Sequence, residues 1–363
     1  MRLLFLLTLL LSPFAQAEEI HDLYRSAEVL GMGGAATASV EGVDALYYNP
    51  AGLASNDKFG MHLTNAYAEA SSSALEQLTK YSGLLGSTTG LSSFNAILGV
   101  PLFAKAQVAP TFLTGKLGIS FIYDVEAFQY SVNQPLPTTL VGTQITYGAQ
   151  IGYAYSKKFG GGSGKSRRMA KEWRVGIAGK FLFRRGGYFY LDPVDYLVYT
   201  TNYLGLINSK MGTFSPGFGV DLGTQYIMPL NKLVSWSAGA AIRDIGDTMF
   251  PSNQSAPIRQ NLSLGTAVTY NSGSFSLTAS YDLRNITQNV DFKMKNHFGV
   301  SMKLPIVSGY IGLNQLSFLS YGFAIDIWAV KVAAVYYSQE LGATAGALPD
   351  GRYAATADVR LEF

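Results

Sequence analysis

The last eleven residues, YAATADVRLEF, alternate between two kinds of side chain. Tyr353, Ala355, Ala357, Val359, Leu361 and Phe363 fall on one face of an extended chain, and Thr356, Asp358, Arg360 and Glu362 fall on the other, because successive side chains of a strand point to opposite sides. Such a segment requires an apolar medium on one side and a polar one on the other. The same period recurs upstream. It is clearest at 117–128, where Leu117, Ile119, Phe121, Tyr123 and Val125 alternate with smaller or acidic residues, and at 143–156, where Ile145, Tyr147, Ala149, Ile151, Tyr153 and Tyr155 do so. Further runs cover 172–184, 217–227, 234–243, 260–270, 274–284, 297–304, 307–314, 318–327 and 329–338. With 58–68, 95–112 and the terminal strand they make about fourteen.

Connection lengths test this reading. If Phe363 ends at one rim of a closed sheet, every second connection should be a short turn at that rim. The expected short turns are 327–329, 305–308, 271–274, 229–232 and 114–116. Expected at the opposite rim are longer loops at 339–352, 286–295, 245–256, 191–214, 129–142 and 69–94, with a brief one at 315–317. GGGSGKSRRMAK at 160–171 breaks the rule as a basic, glycine-rich linker at the short-turn rim. Ala74 to Leu85 and Pro193 to Ile207 are expected to be partly helical.

Arg2, the apolar run Leu3 to Leu11 and Ala15-Gln16-Ala17 have the form of an export signal cleaved after residue 17. Charged residues are 14% of the chain, against roughly 25% in a typical soluble domain, as an apolar outer surface requires. Loss of Arg2 with the signal leaves 26 basic and 24 acidic residues, a balance of +2 that excludes nucleic acid as a partner class. There is no cysteine, hence no disulfide framework and no thiolate metal site. The expected class is therefore all-β, a transmembrane antiparallel β-barrel of about fourteen strands in the bacterial outer membrane, in contact with its lipid. The expected organisation is a signal at 1–17, a plug segment at 18–57 and a barrel at 58–363.

In such a barrel, strand parity turns Arg174, Lys180 and Arg184 inward, together with Asp221, Arg243, Asp282, Arg284, Lys303, Asp326, Asp358, Arg360 and Glu362. Charges of both signs line the lumen and are expected to pair with one another and with the N-terminal segment. The Arg174, Lys180 and Arg184 group is also a candidate holder of an anionic headgroup. Beyond the signal the histidines are His21, His62 and His297, without metal-ligand spacing, and no G-x-S-x-G element occurs. Neither an enzyme nor a cofactor is expected.

Between signal and first strand lies AEVLGMGGAATASVEGVDALYYNPAGLAS. Gly31, Gly33 and Gly34 allow close backbone approach, and Asn49-Pro50-Ala51-Gly52 is a turn in which Asn bonds nearby backbone and Pro fixes φ. GMGGA followed by ALYYNPAGLA ahead of a barrel resembles the long-chain fatty-acid transporter (FadL) superfamily and its relative PorV, the type IX secretion shuttle. SPGFGVDLGTQY at 215–226 and AAIRDIGD at 240–247 are closer to the PorV branch. The resemblance implies that Gly31, Gly33, Gly34, Asn49, Pro50 and Gly52 lie in a plug folded into the lumen. It also implies a wall strand kinked to open sideways, for which the strand at 95–112 with Pro101 and Pro110 is the candidate. The partner it implies is a hydrophobic or amphipathic small molecule, or alternatively an exported or secretion-system protein.

Overall fold

The computed structural model describes residues 22–81, 101–132, 138–160, 170–191, 209–251, 255–342 and 344–362. The expected signal at 1–17, the Pro193 to Ile207 helix, most of the 160–171 linker and Phe363 lie outside them. Sixteen strand segments follow in chain order: β1 (Phe59–His62), β2 (Ala66–Ser71), β3 (Leu102–Val108), β4 (Thr111–Thr114), β5 (Leu117–Val132), β6 (Thr138–Phe159), β7 (Lys171–Leu191), β8 (Ser215–Pro229), β9 (Val234–Arg243), β10 (Asn261–Asn271), β11 (Ser276–Leu283), β12 (Asn296–Lys303), β13 (Val307–Asn314), β14 (Phe318–Ile327), β15 (Val330–Glu340) and β16 (Pro349–Glu362). β1 and β2 are two parts of one wall strand, as are β3 and β4, so the wall has fourteen strands. All pairings are antiparallel, and β16 closes the sheet against β1 and β2.

The alternation of the sequence becomes an inside and an outside. Phe121, Ile151, Ile177, Phe218, Val268, Ile311 and Phe323 are exposed on the outer face, while their strand neighbours Ser120, Gln150, Ala178, Gly219, Ala267, Gly312 and Ala324 are buried. In β16, Tyr353 is 51% exposed and Arg352 0%. Short turns occupy one rim, at 115–116, 230–233, 272–275, 304–306 and 328–329, with the 160–170 connection as the long exception there, and the other long connections lie at the opposite rim. β6 has 22 residues, about 70 Å at a rise of about 3.3 Å per residue, so it stands well clear of a hydrocarbon layer about 30 Å thick. An additional helix, α3 (Ser72–Tyr81), follows β2. It begins two residues before the expected Ala74, and its expected continuation to Leu85 falls outside the described residues.

A wall irregularity lies on the strand next to the one that carries the prolines. From His62 to Ala66 the first wall strand takes four steps, where its partners take three on either side, Arg360 to Ala357 and Thr111 to Val108. The extra residue is a β-bulge, with Asn65 at φ 37°. The proline-bearing strand keeps step with β5, since Val108 faces Tyr123 and Thr111 faces Ser120. Pro110 lies at its break but still accepts a bond from the Phe121 N–H at 3.0 Å, and Pro101 merely precedes β3. A proline costs the ladder only the donor it lacks, and both flanks of β3 and β4 stay paired among the described residues.

Candidate functional site

Inside the wall runs the N-terminal segment, with α1 (Ala27–Gly31), α2 (Gly42–Tyr48) and a 3-10 turn (Pro50–Ser55). Helix α1 ends because Gly33 and Gly34 take φ of 62° and 88°, a region glycine enters without strain. The 3-10 turn starts at Asn49, whose side chain accepts from the Ala51 N–H at 3.2 Å and donates to the Thr37 carbonyl at 2.8 Å and the Thr224 carbonyl at 3.2 Å. Asn49 is 0% exposed. The segment is thereby tied to itself and to β8 through one amide.

The wall makes room for this segment with four cross-strand pairs of inward-facing glycines: Gly299 opposite Gly312, Gly239 opposite Gly265, Gly176 opposite Gly223, and Gly118 opposite Gly152. A Cβ at the first pair would strike Met32, at the second Thr37 and Ala38, at the third Asn49, Pro50 and Ala51, and at the fourth Leu46 and Leu53. The chain from residue 32 to 53 therefore passes from β12/β13 to β5/β6 along glycine seats. Gly31 is packed against Tyr310, and Gly52 against the Val40 carbonyl. The expected residues Gly31, Gly33, Gly34, Asn49, Pro50 and Gly52 thus all lie against the inner wall or at bends of the segment.

Charge holds the earlier part. Arg25 Nη1 donates to Glu69 at 2.8 Å and to the Tyr337 hydroxyl at 3.0 Å, and Arg352 reaches the same carboxylate at 3.2 Å. Arg352 lies 3.6 Å above the Phe103 ring and Arg25 5.2 Å from it. Glu28 pairs with Lys331 and, at 3.7 Å, with Lys303. Burial would raise the Glu28 carboxyl, but the two lysines outweigh it and bring it down to about 2. Asp22 behaves alike: burial opposes its charge, and Arg243, Arg284 and Arg25 hold it at about 2. Asp44 goes the other way. Burial, with the nearby Glu28 charge, raises it despite hydrogen bonds from Tyr24 and Ser26.

The remaining lumen charges do not form one cationic cluster. Arg174 pairs with Glu172 at 3.0 Å and Glu41 at 3.2 Å. Lys180 sits between Asp221 and Asp244 at 3.0 and 2.9 Å, while Arg184 donates to Thr146 at 2.8 Å and the Ala256 carbonyl at 2.9 Å. Asp282 accepts from the backbone N–H groups of Ala36 and Thr37 at 2.8 and 2.7 Å, fixing the segment to β11. Arg360 pairs with Asp326, and Asp358 with His62 at 2.6 Å. His297 Nδ1 contacts the Gly33 carbonyl at 2.7 Å. Lys303 is the outlier, with its side chain 54% exposed; the Glu362 side chain lies outside the described residues.

Sequence reasoning missed Arg25, Glu69, Arg352 and the glycine pairs. Glycine at an inward parity position, as in SPGFGVDLGTQY, was the available signal for the latter. Beneath the segment, toward the short-turn rim, is a chamber of about 950 Å³ whose lining includes Ser237, Thr269, Thr278, Ser301, Lys331 and Arg360. Its wall mixes these hydroxyl and charged groups with apolar side chains such as Val29, Met32 and Leu113.

A closed sheet with every strand paired, an apolar exterior and a polar, charged interior defines a transmembrane β-barrel of the bacterial outer membrane. Only such sheets and helices satisfy backbone polar groups in lipid, and among the described residues no helix is long and apolar enough to cross a membrane. No family model and no curated protein matches the chain. Among solved structures it is similar to the Ralstonia pickettii toluene transporter TbuX, with 13% identity over 94% of this chain and 99% of that one and a TM-score of 0.47. It is also similar to the CymD monoaromatic hydrocarbon channel (12% identity, 95% and 99% covered, TM-score 0.48) and to a Pseudomonas aeruginosa FadL homologue (14%, 93% and 96%, TM-score 0.28).

Proposed function

We propose that this barrel passes a hydrophobic or amphipathic small molecule across the outer membrane, with residues 22–57 acting as a plug that denies free diffusion. The observation carrying this reading is the circuit of the N-terminal segment, which meets wall strands from β15, β2 and β3 at Arg25 round to β5 and β6 at Leu53. A segment so seated occupies the section a polar solute would need. The chamber below it carries hydroxyl and charged groups that an apolar molecule would have to pass, and release through the wall avoids them. The bulge at 63–65, beside Pro110, is the place where the ladder has least to lose. Pro101 has no part in this reading. Native mass spectrometry on barrel purified in mild detergent should reveal a discrete amphiphile adduct that survives detergent removal. A clean protein mass, together with unchanged uptake of hydrophobic compounds in a strain lacking the gene, would refute the proposal. The shuttle alternative needs a docking surface on the outer loops, and 82–100 and 192–208, which would carry it, lie outside the described residues.

A further inference from the structure

The wall is uneven in height. β6 and β7 run to 22 and 21 residues, whereas β11, β12 and β13 have 8 each, fewer than the roughly 9–11 that a tilted strand needs to span a bilayer. A strand of that length, rising about 3.3 Å per residue and tilted by about 40°, reaches about 20 Å along the barrel axis, against an apolar band usually about 25 Å tall. On β13 and β14 every outward residue, from Val307 to Leu313 and from Leu319 to Ile327, is apolar or aromatic. The apolar surface does not stop at the strand ends. The β12–β13 turn is Leu304-Pro305-Ile306 and the β14–β15 turn is Trp328-Ala329, and the two adjoin, the Asp326 N–H donating to the Ile306 carbonyl at 2.7 Å. Leu304, Ile306 and Ile327 are exposed, and Trp328 is 96% exposed. At the opposite rim Leu316 is exposed in the β13–β14 turn. Other short turns carry polar tips: Gly115-Lys116, Asn231-Lys232 and Ser272-Gly273-Ser274. Trp328 and Leu316 also take φ of 56° and 49°, where a bulky side chain is strained and where a two-residue hairpin favours glycine at the Trp328 position. Turn geometry therefore does not account for either side chain.

We propose that the wall from β11 to β14, with its turns, is a membrane-thinning face: the headgroups of both leaflets draw in over it, seating Leu316 in the outer leaflet and Leu304, Ile306 and Trp328 in the inner one. A wall shorter than the lipid layer is accommodated by local thinning of that layer. Its rims then lie within the bilayer, and polar tips would be costly there. Residues 304–307 and 327–330 carry no charge. The neighbouring Lys303, Lys331 and Asp326 face the lumen, where they pair with Glu28 and Arg360. The tips continue the surface of Val307, Ile325 and Val330 without a polar break, so the occupant that fits them is the same lipid. Trp328 suits the boundary, since an indole places its ring in the apolar layer and its N–H among the headgroups.

The test reads tryptophan fluorescence of the full-length barrel in phosphatidylcholine vesicles, with myristoyl or eicosenoyl chains and their brominated, quenching counterparts. Trp328→Gly removes one reporter at a φ that glycine enters freely. Its difference from wild type isolates Trp328, and the variant itself reports Trp173 on β7 and Trp236 on β9. Trp328 should be quenched by bromolipid and shielded from aqueous iodide. Its surrounding lipid should favour the myristoyl over the eicosenoyl chain by about threefold more than the lipid beside Trp173 and Trp236 does. Folding is checked by heat-modifiable gel mobility; should the glycine variant fail, Trp173→Phe with Trp236→Phe reads Trp328 alone and its difference from wild type reads the other wall. Quenching by iodide and not by bromolipid puts the tip in water and overturns the proposal. Shielding that appears only with added periplasmic extract marks a protein partner and overturns it too, as does an equal chain-length preference at the two walls.

Discussion

Residues 22–31 and residues 46–53 lie inside the same wall but are held by different forces. The first stretch is fixed by ion pairs, from Asp22, Arg25 and Glu28 to side chains on β2, β9, β12 and β15 and to Arg284 at the end of β11. The second carries no ionised side chain at all; it is fixed by Asn49 amide bonds and by the fit of Pro50, Ala51 and Leu53 over Gly176, Gly223, Gly118 and Gly152. Charge contacts depend on screening and protonation and are exchangeable for other ions. Shape contacts are not. A segment built this way has a tunable front and a permanent rear.

The largest expected effect comes from the front. Glu69→Ala leaves Arg25 and Arg352 buried without their shared carboxylate, and breaking a buried pair typically costs about 3–5 kcal/mol. Urea unfolding in lipid vesicles should show a loss of that order, and salt should restore little of it, because Glu69 and Arg352 are 0% exposed. Next, Gly176→Leu puts a side chain into the Pro50 and Ala51 backbone. Overpacking of this kind costs about 3 kcal/mol. Its second readout breaks the comparison cleanly: steady ion conductance in planar bilayers should appear in Gly176→Leu, since the rear of the segment has lost its seat. A variant that folds and remains non-conducting would show that the rear is not what closes the lumen. Asn49→Ala follows at about 2 kcal/mol, the usual cost of removing buried hydrogen bonds, here to the Thr37 and Thr224 carbonyls.

Legibility divides along related lines. Strand register faces and turn parity were readable because alternation needs only two media. The run expected at 329–338 is found as Val330–Glu340, and the 327–329 turn falls where the parity put it. Asn49-Pro50-Gly52 was readable because a turn is a local event. The glycine pairs were not, because Gly176 and Gly223 become partners only when β7 meets β8 in a particular register. Arg25, Glu69 and Arg352 were hidden for the same reason: their contact spans 44 residues one way and 283 the other. The bulge beside Pro110 was not readable, because a proline removes one donor locally, whereas an inserted residue at 63–65 shows only when its partner strands are known.

The smallest effect, and the sharpest on the front alone, is acid sensitivity. Asp22 and Glu28 both have carboxyls lowered to about 2 in the folded protein, from ordinary values of 3.8 and 4.5. A lowered carboxyl contributes stability above its unfolded value and loses it as the pH falls through the folded value, so the window runs from about 4.5 down to about 2. Each shift is about two pH units, and after discounting for partial exposure each group contributes about 1 kcal/mol. Asp22→Asn with Glu28→Gln should therefore flatten the stability profile across that window and match wild type at its acid end. Asp44 supplies the internal control. Its raised carboxyl is a cost in the ionised state, so Asp44→Asn should not reproduce the flattening. If the double variant retains the full acid slope, the front is held by packing like the rear, and the distinction between the two collapses.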